Sequence, residues 1–230
     1  MDVTFVFLSS LLVGSFIGAL TYRLPRGMGF IKGRSFCDSC KKELSWFDNI
    51  PLFSYFWYKG KSRCCGMKIS IRYPLIELFF AVCSTVLYLN LGFSLLFTTY
   101  YLLLILTISI LIIDLEYQYI PDELVWLIFL ICILHPTSYI LLPGFIYSLL
   151  LLTIHFITKG RGMGLGDVKL VIPLGAIMGL TKLPYFIAGS FLTGGVTAFI
   201  LLLLGRAKMK TKIAFGPFII IAFWMVLLMT

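Results

Sequence analysis

The chain has 230 residues, 60% of them hydrophobic and only 13% charged, with a net charge of +9 and a mean hydropathy of +1.01. A soluble domain carries about 25% charge, so a water-soluble globule is excluded. The basic residues are dispersed over loops, which suits membrane topology and anionic lipid and gives no footprint for nucleic acid.

Val3–Leu20 is the first charge-free apolar run. Asp2 is the only charge ahead of it, and Arg23, Arg26, Lys32 and Arg34 follow. A signal peptide has the opposite charge order, so a retained helix with its amino end outside is expected. Gly14-x-x-x-Gly18 within it is a small-residue helix-packing pattern. A polar loop with four cysteines, residues 21–73, comes next. Further apolar runs follow at Pro74–Leu91, Phe93–Ile113, Glu123–His135, Tyr139–Ile157, Val168–Leu180, Pro184–Leu204 and Ile213–Thr230. A bilayer crossing takes roughly 20 apolar residues. The expected fold class is therefore all-α, a polytopic membrane protein of about eight transmembrane helices with a cytoplasmic Cys-containing loop. It divides into a first helix (1–20), the loop domain (21–73) and a membrane-embedded core (74–230).

The loops then alternate between sides. One side holds 21–73, 114–122, 158–167 and 205–212, and with Lys169 it carries every Lys and Arg except Lys182. The positive-inside rule makes it cytoplasmic. Leu124–Leu134 and Leu170–Leu180 are short for spans, and Pro173 interrupts the second. Both are expected to begin in a water-filled recess open to the cytoplasm.

Each short span follows an acidic cluster, "DLEYQYIPDE" (114–123) and "GLGD" (164–167). Ionisable groups at membrane depth are costly and usually functional. Asp114 ends the third span and Asp167 opens the sixth, so both lie near the cytoplasmic plane. Two carboxylates that meet can share one proton, one serving as acid and the other as base, and so activate a water. Their places at opposite helix ends assign Asp167 as base and Asp114 as proton donor. Gly164 and Gly166 lack Cβ atoms, so an extended substrate backbone could approach there; the plainer reading is a turn capped by Asp167. His135 and His155 are read as packing or interfacial residues.

Here the sequence resembles a known family. "GMGLGDVKL" is similar to the Gly-x-Gly-Asp motif of the type IV prepilin peptidases, within the wider class of membrane aspartyl proteases. "DLEYQYIPDEL" resembles the family's segment in which an Asp precedes Ile-Pro-Asp, and residues 36–78 resemble its loop from Cys-x-x-Cys through Asp-Asn-Ile-Pro to Arg-Tyr-Pro-x-x-Glu. The resemblance implies a bacterial inner-membrane endopeptidase whose active site faces the cytoplasm. It implies removal of the basic leader of type IV prepilins or pseudopilins, with Asp114 and Asp167 as the catalytic pair. It further implies N-methylation of the new amino terminus with S-adenosylmethionine in many members. Candidate substrate-binding residues are Gly164, Gly166, Glu116, Asp122, Glu123 and Lys169. The acids among them would attract the basic leader, while the apolar spans take the pilin's hydrophobic helix.

Four of the six cysteines lie in the first loop, and Cys37, Cys40, Cys64 and Cys65 suggest a structural zinc knuckle. The chain departs from the family's second Cys-x-x-Cys, reading Ser62-Arg63-Cys64-Cys65. A folded loop with free thiols is the alternative. Cys83 and Cys132 are read as packing residues. Glu77, one turn after Pro74, is placed to orient Arg72 or to serve methyl transfer. An ion- or proton-coupled transporter is the competing function, since broken spans and membrane acids also mark ion paths.

Overall fold

The computed structural model of the chain describes residues 2–29, 35–37, 39–134, 141–160, 162–206 and 213–229. His135 and Tyr139, like the basic residues Lys32, Arg34 and Arg161, lie outside the described residues. The helices are α1 (Val3–Arg23), α2 (Phe53–Trp57), α3 (Arg72–Leu91), α4 (Leu95–Tyr117), α5 (Asp122–Leu134), α6 (Leu142–Ile157), α7 (Leu165–Leu203) and α8 (Gly216–Leu228). No strand occurs among the described residues, and only two isolated bridges are present. The protein is all-α, and its helices are those of a polytopic membrane protein.

Among the described residues four helices, α1, α3, α4 and α7, are long and apolar enough to cross a bilayer. The expected eighth span is hidden in α7. That helix contains 39 residues, about 58 Å if straight, and Gly179 breaks it with φ 72 and ψ 172. Only glycine takes that backbone conformation cheaply. The two legs fold back on each other. Tyr147 lies within electrostatic reach of Asp167 and packs edge to face on Phe186 at 5.1 Å, two residues that a straight helix would hold about 28 Å apart. The two legs cover the expected runs Val168–Leu180 and Pro184–Leu204.

The chain forms two compact units, Met1–Ser109 and Ile110–Thr230. In the first, α1 packs along α3. Gly14 lets the helices touch: a Cβ there would lie 2.7 Å from the Cα of Glu77, and one on Gly18 would lie 3.3 Å from the Tyr73 ring. Arg72 reaches across to donate to Thr21 Oγ1 at 2.8 Å. In the second unit, α7 is the hub, packed on α5, α6 and α8. Gly144 of α6 sits against Ile172 and Gly175, where a Cβ on Gly175 would meet the Gly144 Cα at 2.8 Å. Tyr147, Phe186 and Phe223 are fully buried and stack edge to face through this unit. Many large apolar side chains on the helices remain exposed, among them Phe5, Leu12, Phe79, Leu149 and Phe199. In water such faces would drive aggregation; against lipid they are the natural surface of a membrane protein.

Candidate active site

Asp114 stands one turn before the end of α4, and Asp167 is the third residue of α7. Both are buried, with 4% and 7% of their surface exposed. They lie in the same unit and within electrostatic reach of each other. One oxygen of each carboxylate, Oδ2 of Asp114 and Oδ1 of Asp167, is buried without a hydrogen-bond partner among the described residues. The other Asp167 oxygen accepts the Gly164 N–H at 3.2 Å, so Asp167 caps its own helix. The backbone N–H of Gly216, at the start of α8, is directed at the Asp114 carboxylate.

The glycines have a second use. A Cβ on Gly166 would lie 3.0 Å from the Cβ of Ile120, and one on Gly216 would lie 3.3 Å from Ile120 Cδ1. The buried Ile120 side chain therefore wedges between the start of α7 and the start of α8. It brings the Ile-Pro-Asp segment into the same site. Gly216 escaped the sequence reading. The "FGPF" around it carries no ionisable residue, and only the contact with Asp114 reveals it.

Among the outer acids, Asp122 pairs with Lys169 at 2.9 Å, both side chains about half exposed. Glu116 and Glu123 are exposed on the neighbouring turns. His155 hydrogen-bonds the Met163 carbonyl through Nδ1 at 2.7 Å, bracing the loop that leads into Gly164. Sequence reading gave it a packing or interfacial role.

The cysteine loop folds as two matching knuckles in the first unit. The Cys37 N–H donates to the Lys42 carbonyl at 2.9 Å, and the Ser62 N–H donates to the Met67 carbonyl at 2.7 Å. Each knuckle turns through a left-handed residue, Lys41 at φ 59 and Gly66 at φ 70, and each is closed by a bridge, Phe36–Glu43 and Lys61–Lys68. Ser62 thus occupies the register of Cys37, and Cys65 that of Cys40. Cys64 bends inward instead: its Sγ lies 3.1 Å from Cys40 Sγ and 3.1 Å from Ser62 Oγ. All four sulfurs fall within 4.8 Å of one another. Four thiolates on one tetrahedral zinc stand about 3.8 Å apart, and Cys37 and Cys65 are 3.7 Å apart already. The donor set fits the ion. The Cys40 backbone N–H and then the Ser62 hydroxyl lower the Cys37 thiol to about 6, while hydrogen bonding to Cys64 pushes Cys40 up to about 12.

Fold and site together define a membrane-embedded protein with a buried carboxylate pair and an appended four-cysteine knuckle. The bacterial Peptidase A24 N-terminal domain matches residues 8–91, and the type IV leader peptidase family matches residues 101–199. A protein of Aeromonas salmonicida is 31% identical, covering 97% of this chain and 89% of its own. One from Neisseria gonorrhoeae is 31% identical over 94% and 86%, and one from Pseudomonas aeruginosa 33% over 96% and 88%. Each of the three is named prepilin leader peptidase/N-methyltransferase. The chain belongs to the type IV leader peptidase family. No solved structure matches it.

Proposed function

We propose that this protein removes the basic leader peptide of type IV prepilins or pseudopilins at the cytoplasmic face of a bacterial inner membrane, using Asp114 and Asp167 as its catalytic pair. The observation that carries the reading is the pair of buried, unpartnered oxygens, one on each carboxylate. A buried acceptor without a partner costs about 1–3 kcal/mol. A shared proton and a water held between the two acids would satisfy both.

The chemistry follows from that geometry. Ionised Asp167 takes a proton from water as the water oxygen bonds to the scissile carbonyl carbon. Protonated Asp114 gives its proton to the carbonyl oxygen. The tetrahedral intermediate collapses with cleavage of the C–N bond. The proton held by Asp167 passes to the leaving nitrogen, and the new carboxyl returns its other proton to Asp114. Gly164 and Gly216 hold the two carboxylates in place through backbone N–H groups. Glu116, Asp122 and Glu123 form an acidic rim for the leader, whose cations can take the place of Lys169 beside Asp122.

The four cysteines hold a structural zinc. Four protein ligands leave no open position for a water, so the metal shapes the loop and takes no part in hydrolysis. After cleavage, the new amino terminus is N-methylated with S-adenosylmethionine as donor. The test is co-expression with a prepilin: the reading requires a product shorter by its leader. A full-length prepilin beside well-expressed, inserted protein would favour the transporter reading instead.

A further inference from the structure

We infer that residues 46–57 form an aromatic wedge that rests in the lipid headgroup layer, on the leaflet where α1 ends and α3 begins, and that Lys59, Lys61 and Arg63 hold anionic headgroups beside it. All of these residues lie in the first unit.

The segment is short and aromatic. Trp46, Phe47, Phe53, Phe56 and Trp57 each leave half or more of their surface exposed, although none belongs to a spanning helix. Trp46 stacks on Phe47 with ring centres 3.4 Å apart, and Phe53 stacks on Trp57 at 5.4 Å. Phe47, Phe53 and Trp57 wall a groove that Ile50 and Arg63 also line. Exposed apolar patches of this kind mark a protein partner or a membrane.

Depth decides between the two. Arg72 donates to Thr21 Oγ1 at 2.8 Å and Arg23 closes α1, so these arginines mark the polar end of the α1–α3 pair. Glu77 lies further along α3, opposite Gly14 of α1, and its distance from Arg72 is about 7.5 Å along the axis. Yet the Leu52 N–H reaches Glu77 Oε2 at 2.8 Å. The turn between the two aromatic stacks is therefore hooked down the side of the helices, past the arginines and toward the acyl chains. Interfacial apolar faces sit about 5–10 Å into the boundary between headgroups and chains, which is the same depth. The hook holds against backbone strain, since Leu52 has φ 58. A residue with a Cβ keeps that conformation only where its surroundings fix it.

The backbone limits how far the wedge can sink. Irregular chain does not face lipid within the hydrocarbon, because its unpaired N–H and C=O groups need water. Residues 46–57 pair part of their backbone inside a 3₁₀ turn, Trp46–Asn49, and inside the five-residue α2. The remainder needs the hydrated headgroup layer, which is also where tryptophan concentrates. Charge points the same way. Residues 21–73 carry eleven Lys and Arg against three Asp and Glu. Lys59, Lys61 and Arg63 are exposed beside the wedge. Asp48 is the one acid within it, and its Oδ2 accepts the Ser45 N–H at 3.0 Å and the Ser45 hydroxyl at 2.7 Å. An aromatic and cationic face suits an anionic leaflet and repels the basic leader of a prepilin.

The experiment reads the wedge in full-length protein carrying Trp126→Phe and Trp224→Phe, which leaves Trp46 and Trp57 as the only tryptophans. The protein is placed in nanodiscs of phosphatidylethanolamine and phosphatidylglycerol. A nitroxide on the lipid headgroup is expected to quench the fluorescence at least twofold more than a nitroxide at the end of the acyl chain. Iodide in the water should quench it at least twofold less than it quenches free tryptophan. Replacing phosphatidylglycerol by phosphatidylcholine should weaken the headgroup quenching, and the triple variant Lys59→Ala, Lys61→Ala, Arg63→Ala should lose that dependence on lipid charge. Wild-type protein photolabelled with a headgroup diazirine lipid should carry label on residues 46–57, which tests the wedge without any substitution. Full quenching by iodide with no effect of either lipid nitroxide would overturn the inference. So would iodide access that disappears only when a prepilin is added, which would make the face a dock for the pilin. Shielding that rises with the number of copies per disc, whatever the lipid, would overturn it as well and make the face a contact between copies.

Discussion

A methyl group placed on Gly216 would lie 2.6 Å from Oδ2 of Asp114. Real Cβ atoms do not approach other atoms so closely, so the backbone at the start of α8 sets the position of that carboxylate. Gly216→Ala must push Asp114 aside or lift α8. Misplacing a reacting group by about 1 Å can cost 100-fold in rate. Cleavage of a prepilin by Gly216→Ala is expected to fall at least tenfold. Gly195→Ala, where an added Cβ meets nothing within 4 Å, should keep full activity. Equal rates for the two variants would break the link between Gly216 and the chemistry.

Asp114→Asn and Asp167→Asn should each lower cleavage by about 10²–10⁴-fold, the usual contribution of a positioned acid or base. Asparagine matches aspartate in shape, and at position 167 its carbonyl oxygen can still accept the Gly164 N–H. Expression and membrane insertion should therefore stay close to normal. A single-turnover assay on purified protein separates the chemical step from substrate binding. Near-full cleavage by either variant would sink the pair.

The helices were legible because their signal is compositional: a charge-free run of about 20 residues has few homes outside a bilayer. The break at Gly179 was legible too, since Gly-Leu-Thr-Lys-Leu-Pro interrupts an apolar stretch, although the backbone stays helical on both sides and only glycine's positive φ marks the turn. Asp114 and Asp167 stood out as membrane-depth acids, Asp167 directly after a Gly-x-Gly turn. Gly216 and Ile120 did not. An apolar wedge between two helix starts looks like any other isoleucine, and a glycine that yields to a distant side chain has no local signature. The bend that brings Cys64 inward was likewise invisible, because spacing alone made adjacent cysteines look like poor ligands. The matching of the two knuckles agrees with the departure from the family's second Cys-x-x-Cys: Ser62, not Cys64, holds the regular position.

The crossing of α6 with the first leg of α7 has no room for a side chain at Gly144, which lies against the Ile172 carbonyl and Gly175. Gly144→Ala should separate the two helices and destabilise the protein by about 1–3 kcal/mol, the usual cost of overpacking. Thermal unfolding in detergent reads this as a lowered midpoint. Because Tyr147 and the Asp167 end of α7 ride on the same crossing, activity at low temperature should fall as well. A midpoint at or above that of the wild type would show that the crossing relaxes freely.

Asp122 and Lys169 form a half-exposed ion pair, and pairs of that kind contribute about 0–1 kcal/mol. Lys169→Ala should leave the melting temperature nearly unchanged. Asp122→Asn should weaken capture of the basic leader, raising KM several-fold with little change in kcat. Added salt should shrink the difference from wild type, because screening acts on exposed charges first. Complete loss of cleavage in Asp122→Asn, at any salt, would move Asp122 from the rim into the catalytic pair.

The knuckle geometry makes a prediction that spacing alone could not. Ser62 Oγ lies 3.3 Å from Cys37 Sγ and 3.1 Å from Cys64 Sγ, so it stands within the cluster, in the register where Cys37 stands in the other knuckle. Purified protein should carry close to one zinc per chain, and Cys64→Ser should lose most of it, since three thiolates and a hydroxyl are a poorer set for zinc. Adding Ser62→Cys to Cys64→Ser should restore the metal, because the new thiol enters at the regular ligand position with no change of backbone. Elemental analysis of the three proteins decides the matter. Restoration would mean that the cluster selects four sulfurs by place and not by residue number. A double variant as zinc-poor as Cys64→Ser would mean that the inward bend of Cys64 is itself required. Prepilin cleavage should survive in all three better than in Asp167→Asn, because a four-ligand zinc offers no water to the reaction.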